Sequence, residues 1–506
     1  MRISIDKKIS IPIYIQIKNQ IKELIHDGIL PVGFVLPPER RLAVEIGVSR
    51  STVVKAYEEL KALGLVESHI GMGTRVSAEF EDKALESEVK VLPLSWYQFF
   101  DESIASANEH TISDIMNIHG HRNLISFAAG IAAPELYPLE KIKEIEDELW
   151  RISPEEILSI SSVDGYYPLR ESLVSLMETR RVQTSSKEIV ILSGSMQGID
   201  FAARTFIKPG DVVIVEEPTY IGALESFRVA GAKVIGVPMD NNGIRTDVLD
   251  ILLQKYKPKF IYTMPNFQCP TGITMSGKRR NELLALAHKY QVPIVEDDPY
   301  GELRYEGTDL PTLKALDKHG YVIYISTFSK TLFSGMRIGW AVAPEQVIKK
   351  FSILKQMTDL HTNTLGQHIL DNYLRKNYYR EHIKLVCSEY TKKRDAMVAA
   401  LEEYKVQGVN YTIPEGGYYI WCTMPKGISQ SRLMSKAAVK GVIYTPGNVF
   451  FPHAGEGETY FRLNFTYENC ENIKLGIKLL MEAIREAKEE SEDSEDNLEF
   501  NKTPLI

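Results

Sequence analysis

Cysteine is scarce. The 506-residue chain holds four, Cys269, Cys387, Cys422 and Cys470, scattered with no metal-ligand spacing, which excludes a zinc module and a disulfide framework. Long apolar runs are missing too. No stretch approaches the roughly 20 apolar residues of a membrane span. The opening MRISIDKKIS has no apolar secretory core. Nor is there a large positive charge to mark a general polyanion binder, since the formal net charge is −8. What remains, with 44% hydrophobic and 25% charged residues, is a globular composition. The length predicts about three domains, and the missing export signals predict a soluble, cytoplasmic protein.

The charge is uneven. Residues 1–78 carry 11 Lys and Arg against 8 Asp and Glu, whereas residues 486–506 carry 2 against 8. Within the first block Ile17, Ile21, Leu24 and Ile25 fall at helical spacing, and Gly28 closes that helix. A second helix is predicted over about 39–46, a turn at Gly47 and Val48, and a third helix from the N-cap Ser49 to Leu63. Val53, Ala56, Tyr57 and Leu60 form the apolar stripe of the third. Arg50, Ser51 and Lys55 therefore face outward near its amino end, the end that reaches base edges in a helix-turn-helix. Residues 66–68 and 74–76 read as a hairpin around IGMG, a wing whose glycines permit close approach to phosphates.

With PIYIQI, LPPERRLA, GVSRSTVVKAY and GMGT in register, this block resembles the winged helix-turn-helix of the GntR family of bacterial regulators. The resemblance implies that Arg40, Arg50, Ser51 and Thr52 contact double-stranded DNA, with Gly71 and Gly73 at the wing. Pro38 stands where a Ser is common in the family, and so removes a capping or phosphate hydrogen bond. Residues 79–115 have mixed charge and no sustained period, and read as a linker with a short amphipathic piece around Trp96 and Phe100.

Residues 116–485 are punctuated by seven short apolar runs, at 188–192, 212–216, 233–237, 260–264, 292–297, 321–326 and 338–342. Most are separated by helix-length segments, which predicts an α/β fold with a largely parallel sheet covered on both faces. Ligands of such sheets bind at the carboxyl ends of the strands. Unusual residues collect there. In YVIYISTFSKTLFSGMRIGW the sixth run ends in Ser326, Thr327 and Ser329, delivers Lys330, and reaches Arg337 seven residues later. An amine, hydroxyls and a guanidinium at one strand end suit a lysine that links to an aldehyde cofactor while the others hold its phosphate.

Other strand ends agree. SGSMQGID after the first run opens a helix with glycines and serine, which offer backbone N–H groups to a phosphate. EEPTY places Tyr220 where its ring can stack on a planar ligand. VEDDPYGELRY sets Asp297 and Tyr300 three residues apart, so that the carboxylate can hold a pyridine nitrogen protonated. Asp298, its neighbour, fits an Asx-capped turn. In TYFRLNF, Phe461, Leu463 and Phe465 share one face and Arg462 projects from the other.

These pieces, with DGYYPLR, PNFQCPTG, PEGGYYIW and TPGNVF, resemble the fold-type I aminotransferases that use pyridoxal 5′-phosphate (PLP). The resemblance implies a seven-stranded mostly parallel sheet and a smaller C-terminal α+β part. It implies that Lys330 carries the cofactor, Asp297 pairs with its pyridine nitrogen and Tyr300 meets its phenolic oxygen. Ser195, Met196 through its backbone, Ser329 and Arg337 hold the phosphate, Tyr220 stacks on the ring, and Arg462 takes a substrate carboxylate. Two positions depart from the pattern. Cys269 replaces the usual Asn, a better hydrogen-bond donor than a thiol, and Ile160 replaces a tyrosine that reaches the neighbouring subunit's phosphate.

The tail, EAKEESEDSEDNLEF, is acidic and low in complexity, and predicts a disordered segment over 486–506. End to end, the chain resembles the MocR family of bacterial transcription regulators. That implies a homodimeric, PLP-dependent DNA-binding regulator responding to an amino acid, an amine or PLP itself. The alternative is a working aminotransferase whose N-terminal module serves assembly.

Overall fold

The computed structural model describes residues 3, 5, 12–69, 73–77, 99, 124–128, 130–453 and 455–500. Gly71 of the expected wing, and Trp96 and Phe100 of the expected linker, lie outside the described residues. The chain divides into two compact units, Met1–Ala105 and Ser106–Ile506, so the division falls inside the stretch read as a linker.

The first unit is α1 (Ile13–His26), α2 (Glu39–Glu45), α3 (Arg50–Ala62) and an antiparallel hairpin of β1 (Val66–His69) and β2 (Gly73–Val76). Its core joins the predicted residues Ile17, Ile21 and Ile25 of α1 and Val53, Ala56, Tyr57 and Leu60 of α3 to Leu42 and Ala43 of α2, with Leu24 partly buried against them. Truncating Leu60, 0% exposed, to Ala costs about 2 to 5 kcal/mol. Ser49 caps α3 as predicted, its hydroxyl accepting from the Thr52 N–H at 3.3 Å. Pro38 caps α2 with no side-chain hydrogen bond, leaving its carbonyl to accept from Leu42 N–H at 3.0 Å.

The second unit opens with the short strand β3 (Ile125–Ser126) and is built on an eight-stranded sheet. In chain order its strands are β4 (Ile189–Leu192), β5 (Val212–Glu217), β6 (Lys233–Asp240), β7 (Gly243–Ile244), β8 (Ile261–Thr263), β9 (Ile294–Asp297), β10 (Val322–Thr327) and β11 (Gly339–Val342). Across the sheet they lie in the order β4-β11-β10-β9-β8-β5-β6-β7. All seven predicted runs are strands. The eighth, β7, is a two-residue antiparallel return on the β6 edge, too short to leave an apolar run in the sequence. The β6-β5-β8-β9-β10 block is parallel, whereas β11 runs against both β10 and β4. That reversal brings the amino end of β11 to the carboxyl ends of its neighbours, and Arg337 with it.

A second, four-stranded sheet in the order β12-β13-β16-β15 uses Asn410–Tyr411, Tyr419–Thr423, Tyr460–Asn464 and Thr445–Pro446, while β14 (Val442–Ile443) pairs with β3. The helices Tyr378–Glu403 and Cys470–Phe500 pack against each other. The last helix corrects the reading of the tail, for it continues to Phe500 where acidic composition predicted disorder. Glu, Ala and Lys are strong helix formers. Buried Ala487 and the ion pairs Lys440–Glu486 (2.8 Å) and Lys436–Glu490 (2.7 Å) carry the helix past the predicted boundary.

Candidate cofactor pocket and nucleic-acid interface

Burial sets the chemistry at the carboxyl ends of β9 and β10. Asp297 ends β9 and is 2% exposed. Its Oδ2 accepts from the Tyr262 hydroxyl at 2.7 Å, but Oδ1 is buried with no hydrogen-bond partner among the described residues. Burial, with Asp298 and Glu216 nearby, pushes its pKa up from 3.8 to about 7, against the Tyr262 hydrogen bond and Lys330, which lower it. A buried carboxylate oxygen with nothing to accept is costly unless a cation or donor arrives.

Lys330 lies three residues beyond β10. Its Nζ donates to the Gly130 carbonyl, and its own carbonyl accepts from the Tyr418 hydroxyl at 2.5 Å. Burial pulls its pKa down to about 8, helped by Arg462 and Arg337 and opposed by Cys269 and Asp297. Such a lysine has a substantial neutral, nucleophilic fraction near neutral pH. Gly130 is required by the close approach of the ring wall: a Cβ there would fall 2.6 Å from the Tyr419 hydroxyl and 3.7 Å from Lys330 Nζ. Tyr300, 3% exposed, donates to the Tyr419 hydroxyl at 3.2 Å.

The anion-facing end forms where β4 turns into the helix Ser195–Phe206. Gly194 there has φ +98°, and a Cβ would lie 2.6 Å from Arg337 Nη2, so only glycine fits. Arg337 donates from Nη2 to the Ser193 carbonyl (3.0 Å) and from Nη1 to Ser329 Oγ (3.3 Å). Ser195 and Met196 open the helix, whose first N–H groups have no intrahelical acceptor. Half-buried Tyr220 and Met196 crowd the same space, since a Cβ on Gly222 would meet both.

Arg462 closes the far side. Phe461, Leu463 and Phe465 are 0% exposed in the core as predicted, and Arg462 points the other way. Its Nη2 donates to the Ala128 carbonyl and Thr445 Oγ1, both at 3.0 Å, and its guanidinium covers the Tyr419 ring at 4.0 Å. The Cys269 thiol sits beside it, while Ile160 is 79% exposed at the surface.

Several participants escaped the sequence reading. Tyr262 lies in the predicted fourth strand, and a tyrosine inside a fully buried strand signals a hydroxyl needing a partner. Tyr418 and Tyr419 are adjacent in PEGGYYIW, which was their only mark. Asp298 does not cap a turn; it is buried in an ion pair with Arg180 Nη2 (2.8 Å) and accepts from Asn266 (2.8 Å) and Tyr324 (3.0 Å). Arg180 is 118 residues away in sequence, beyond the reach of any local pattern.

In the first unit Arg40, Arg50 and Ser51 are exposed and Thr52 is half-buried. The Arg50 guanidinium lies 3.5 Å from Glu39 of α2. The Ser51 and Thr52 hydroxyls both meet Ser49 Oγ, at 2.9 and 2.7 Å. Lys55, exposed, lies over the Tyr14 ring at 4.1 Å. Gly73 opens β2 with φ +80°.

The donor set of the large unit fits PLP. An amine, an orphaned buried carboxylate oxygen and a guanidinium at a helix N-terminus match an aldehyde, a pyridine nitrogen and a phosphate. When bound, PLP supplies that aldehyde and an electron-withdrawing ring. Fold and pocket together define a PLP-binding, aminotransferase-type domain joined to a winged helix-turn-helix.

Comparisons agree with both halves. Residues 122–476 match the family described as Aminotransferase class I and II, and residues 13–76 match Bacterial regulatory proteins, gntR family. The chain is 34% identical over 477 residues to the HTH-type transcriptional regulator YdfD of Bacillus subtilis, covering 94% of this chain and 97% of that one. It is 41% identical over 411 residues to aromatic-amino-acid aminotransferase 1 of Thermococcus litoralis, covering 80% of this chain and 98% of the other. Among solved structures, the α-aminoadipate aminotransferase LysN from Thermus thermophilus, complexed with N-(5′-phosphopyridoxyl)-L-leucine, superposes with a TM-score of 0.74 at 33% identity, covering 78% of this chain and 99% of that one. The chain therefore belongs to the aminotransferase class I and II family, in the MocR-type branch of PLP-dependent transcription regulators that carry a gntR-family DNA-binding domain. No helix among the described residues is long and apolar enough to cross a membrane.

Proposed function

We propose that this regulator reads an operator through Arg40, Arg50, Ser51, Thr52 and the wing glycines Gly71 and Gly73, and senses an amino acid, an amine or PLP itself in the cytoplasm. PLP is held on Lys330. Asp297 pairs with the ring nitrogen, Tyr300 faces the phenolic oxygen, Tyr220 stacks on the ring, and Ser195, the Met196 N–H, Ser329 and Arg337 take the phosphate. Arg462 receives the carboxylate of an amino-acid effector, a charge-assisted contact worth about 1.5 to 3 kcal/mol. A ligand shifts DNA binding only by its differential affinity for two states, and a contact of that size supplies roughly a 10- to 150-fold shift.

The observation that carries this reading is the pairing of Asp297's buried Oδ1, which has no partner among the described residues, with a half-buried Lys330 of depressed pKa, in a chain that also carries the third helix of a winged helix-turn-helix. Exposed Leu158 (71%), Ile160 (79%) and Tyr167 (57%) support a homodimer that covers them. The test is operator affinity of the full chain with and without PLP, against a panel of amino acids and amines. An affinity that changes with one ligand supports the sensor. Rapid ketoacid formation with an operator affinity indifferent to every ligand, PLP included, replaces it with the enzyme reading. That second reading is favoured by the intact Lys330, Asp297 and Arg462 set.

A further inference from the structure

Ser193, which leads into the anion-facing turn, has every polar group engaged. Its N–H donates to Gln197 Oε1 at 2.9 Å, its hydroxyl donates to Asp359 Oδ2 at 2.7 Å, and its carbonyl accepts from Arg337 Nη2 at 3.0 Å. Gln197 Nε2 also donates to Asp359 Oδ2, at 2.9 Å. Behind them lies Lys355, 0% exposed. Its ammonium reaches Gln197 Oε1 (3.1 Å), both Asp359 oxygens (3.0 Å each) and Thr362 Oγ1 (2.8 Å).

A buried ammonium is expensive, and an apolar side chain of similar volume usually packs at least as well. Stability alone therefore gives this network little reason to exist. Its connections are more specific than a buttress requires. Two of them end on one residue, Ser193: Gln197 takes its N–H and Asp359, just after the helix Glu345–Thr358, takes its hydroxyl, while Lys355 from that helix holds both acceptors. The next side chain, Ser195, is left with a hydroxyl that has no hydrogen bond among the described residues, at the start of a helix.

We infer that Lys355 and Asp359 are positioning residues for the cofactor's phosphate: they lock Ser193 so that Ser195 and Arg337 present a preformed cup to a phosphate monoester. The inference rests on the assignment of Ser195 and Arg337 to the phosphate in the proposed function. Lys355 and Asp359 themselves sit behind the turn. Their effect is preorganisation, which raises affinity for the phosphate group specifically and leaves the aldehyde end of the ligand untouched.

The test compares PLP with pyridoxal, which has the same ring and aldehyde but no phosphate. Dissociation constants for both are measured spectroscopically on the full chain, for wild type, Asp359→Asn and Lys355→Met, with melting temperatures of the cofactor-free proteins and their protection by inorganic phosphate. The expected result is a PLP dissociation constant raised about tenfold or more in each variant, a pyridoxal constant within about twofold of wild type, and loss of protection by phosphate. Parallel weakening of both aldehydes would mean a merely structural role and would overturn the inference, as would unchanged PLP binding. Should Lys355→Met fail to fold, Asp359→Asn, which keeps volume and shape, carries the comparison alone. A wild type that binds neither aldehyde overturns the pocket assignment itself, an outcome distinct from variants that bind both as well as wild type does.

Discussion

The Arg462 guanidinium donates to the Cys269 thiol, Nη1 to Sγ at 3.5 Å. Burial raises the thiol's pKa above its ordinary value although Arg462 opposes that, so Cys269 remains a neutral, weak partner. An amide is a stronger donor than a thiol. Cys269→Asn is expected to raise ketoacid formation by about tenfold, the equivalent of one neutral hydrogen bond of about 1.4 kcal/mol. An assay of single-turnover ketoacid release checks this. A variant no faster than wild type would show that the thiol is not what holds turnover back.

Lys330 is expected to be the one lysine that PLP modifies. With a pKa near 8 it is roughly a tenth neutral at pH 7, far more than an ordinary surface lysine. Borohydride reduction followed by peptide mass analysis should place a pyridoxyl group on Lys330, and Lys330→Ala should lose both the adduct and the visible absorption band. An adduct on another lysine contradicts the assignment.

Arg50→Ala is expected to weaken operator binding by about 1 to 3 kcal/mol and relax specificity at one base pair, if the guanidinium reads a guanine edge. A phosphate contact would instead weaken all sequences alike and reduce the salt slope by about one unit. Because Glu39 stands 3.5 Å from Arg50, Glu39→Gln should shift the same readout by a smaller amount, as befits an exposed pair. Binding titrations on operator and scrambled DNA at two salt concentrations separate these outcomes.

The cofactor-free chain should lose stability as pH rises from about 4 to 7. Burial lifts Asp297 from 3.8 to about 7, and Glu216 and Glu296 from 4.5 to about 7. The folded state binds more protons than the unfolded state across that window. The stabilisation is therefore fully present below the unfolded values and lost as pH rises through about 7. Asp297→Asn should flatten the melting-temperature profile over pH 4 to 8, because the amide has no charge to bury. An unchanged slope would mean that Asp297 does not titrate there.

What the sequence disclosed was whatever repeats along the chain. Alternation exposed Arg462 against Phe461, Leu463 and Phe465, and apolar runs exposed the strand ends that carry Asp297 and Lys330. What it hid was pairing across long loops. Asp298 looked like a turn residue because its partner Arg180 lies in another segment, and the buried Lys355 belongs to no motif that the sequence singled out. The acidic tail misled for a different reason: composition reports solvation, whereas helix formation there follows from propensity and from lysines contributed by the helix Gln430–Val439 and by Lys440 just beyond it.

The reversal of β11 against β10 has a consequence for how the pocket tolerates change. Lys330 and Arg337, which would take the aldehyde and the phosphate borne on neighbouring ring carbons of one small molecule, leave and re-enter the sheet through a single hairpin, so the chain length between them acts as a caliper set to the spacing of those two groups. Substitutions within the loop alter its lining, but an inserted or deleted residue resets the caliper. Both grips then fail together, while the sheet that carries them keeps its register.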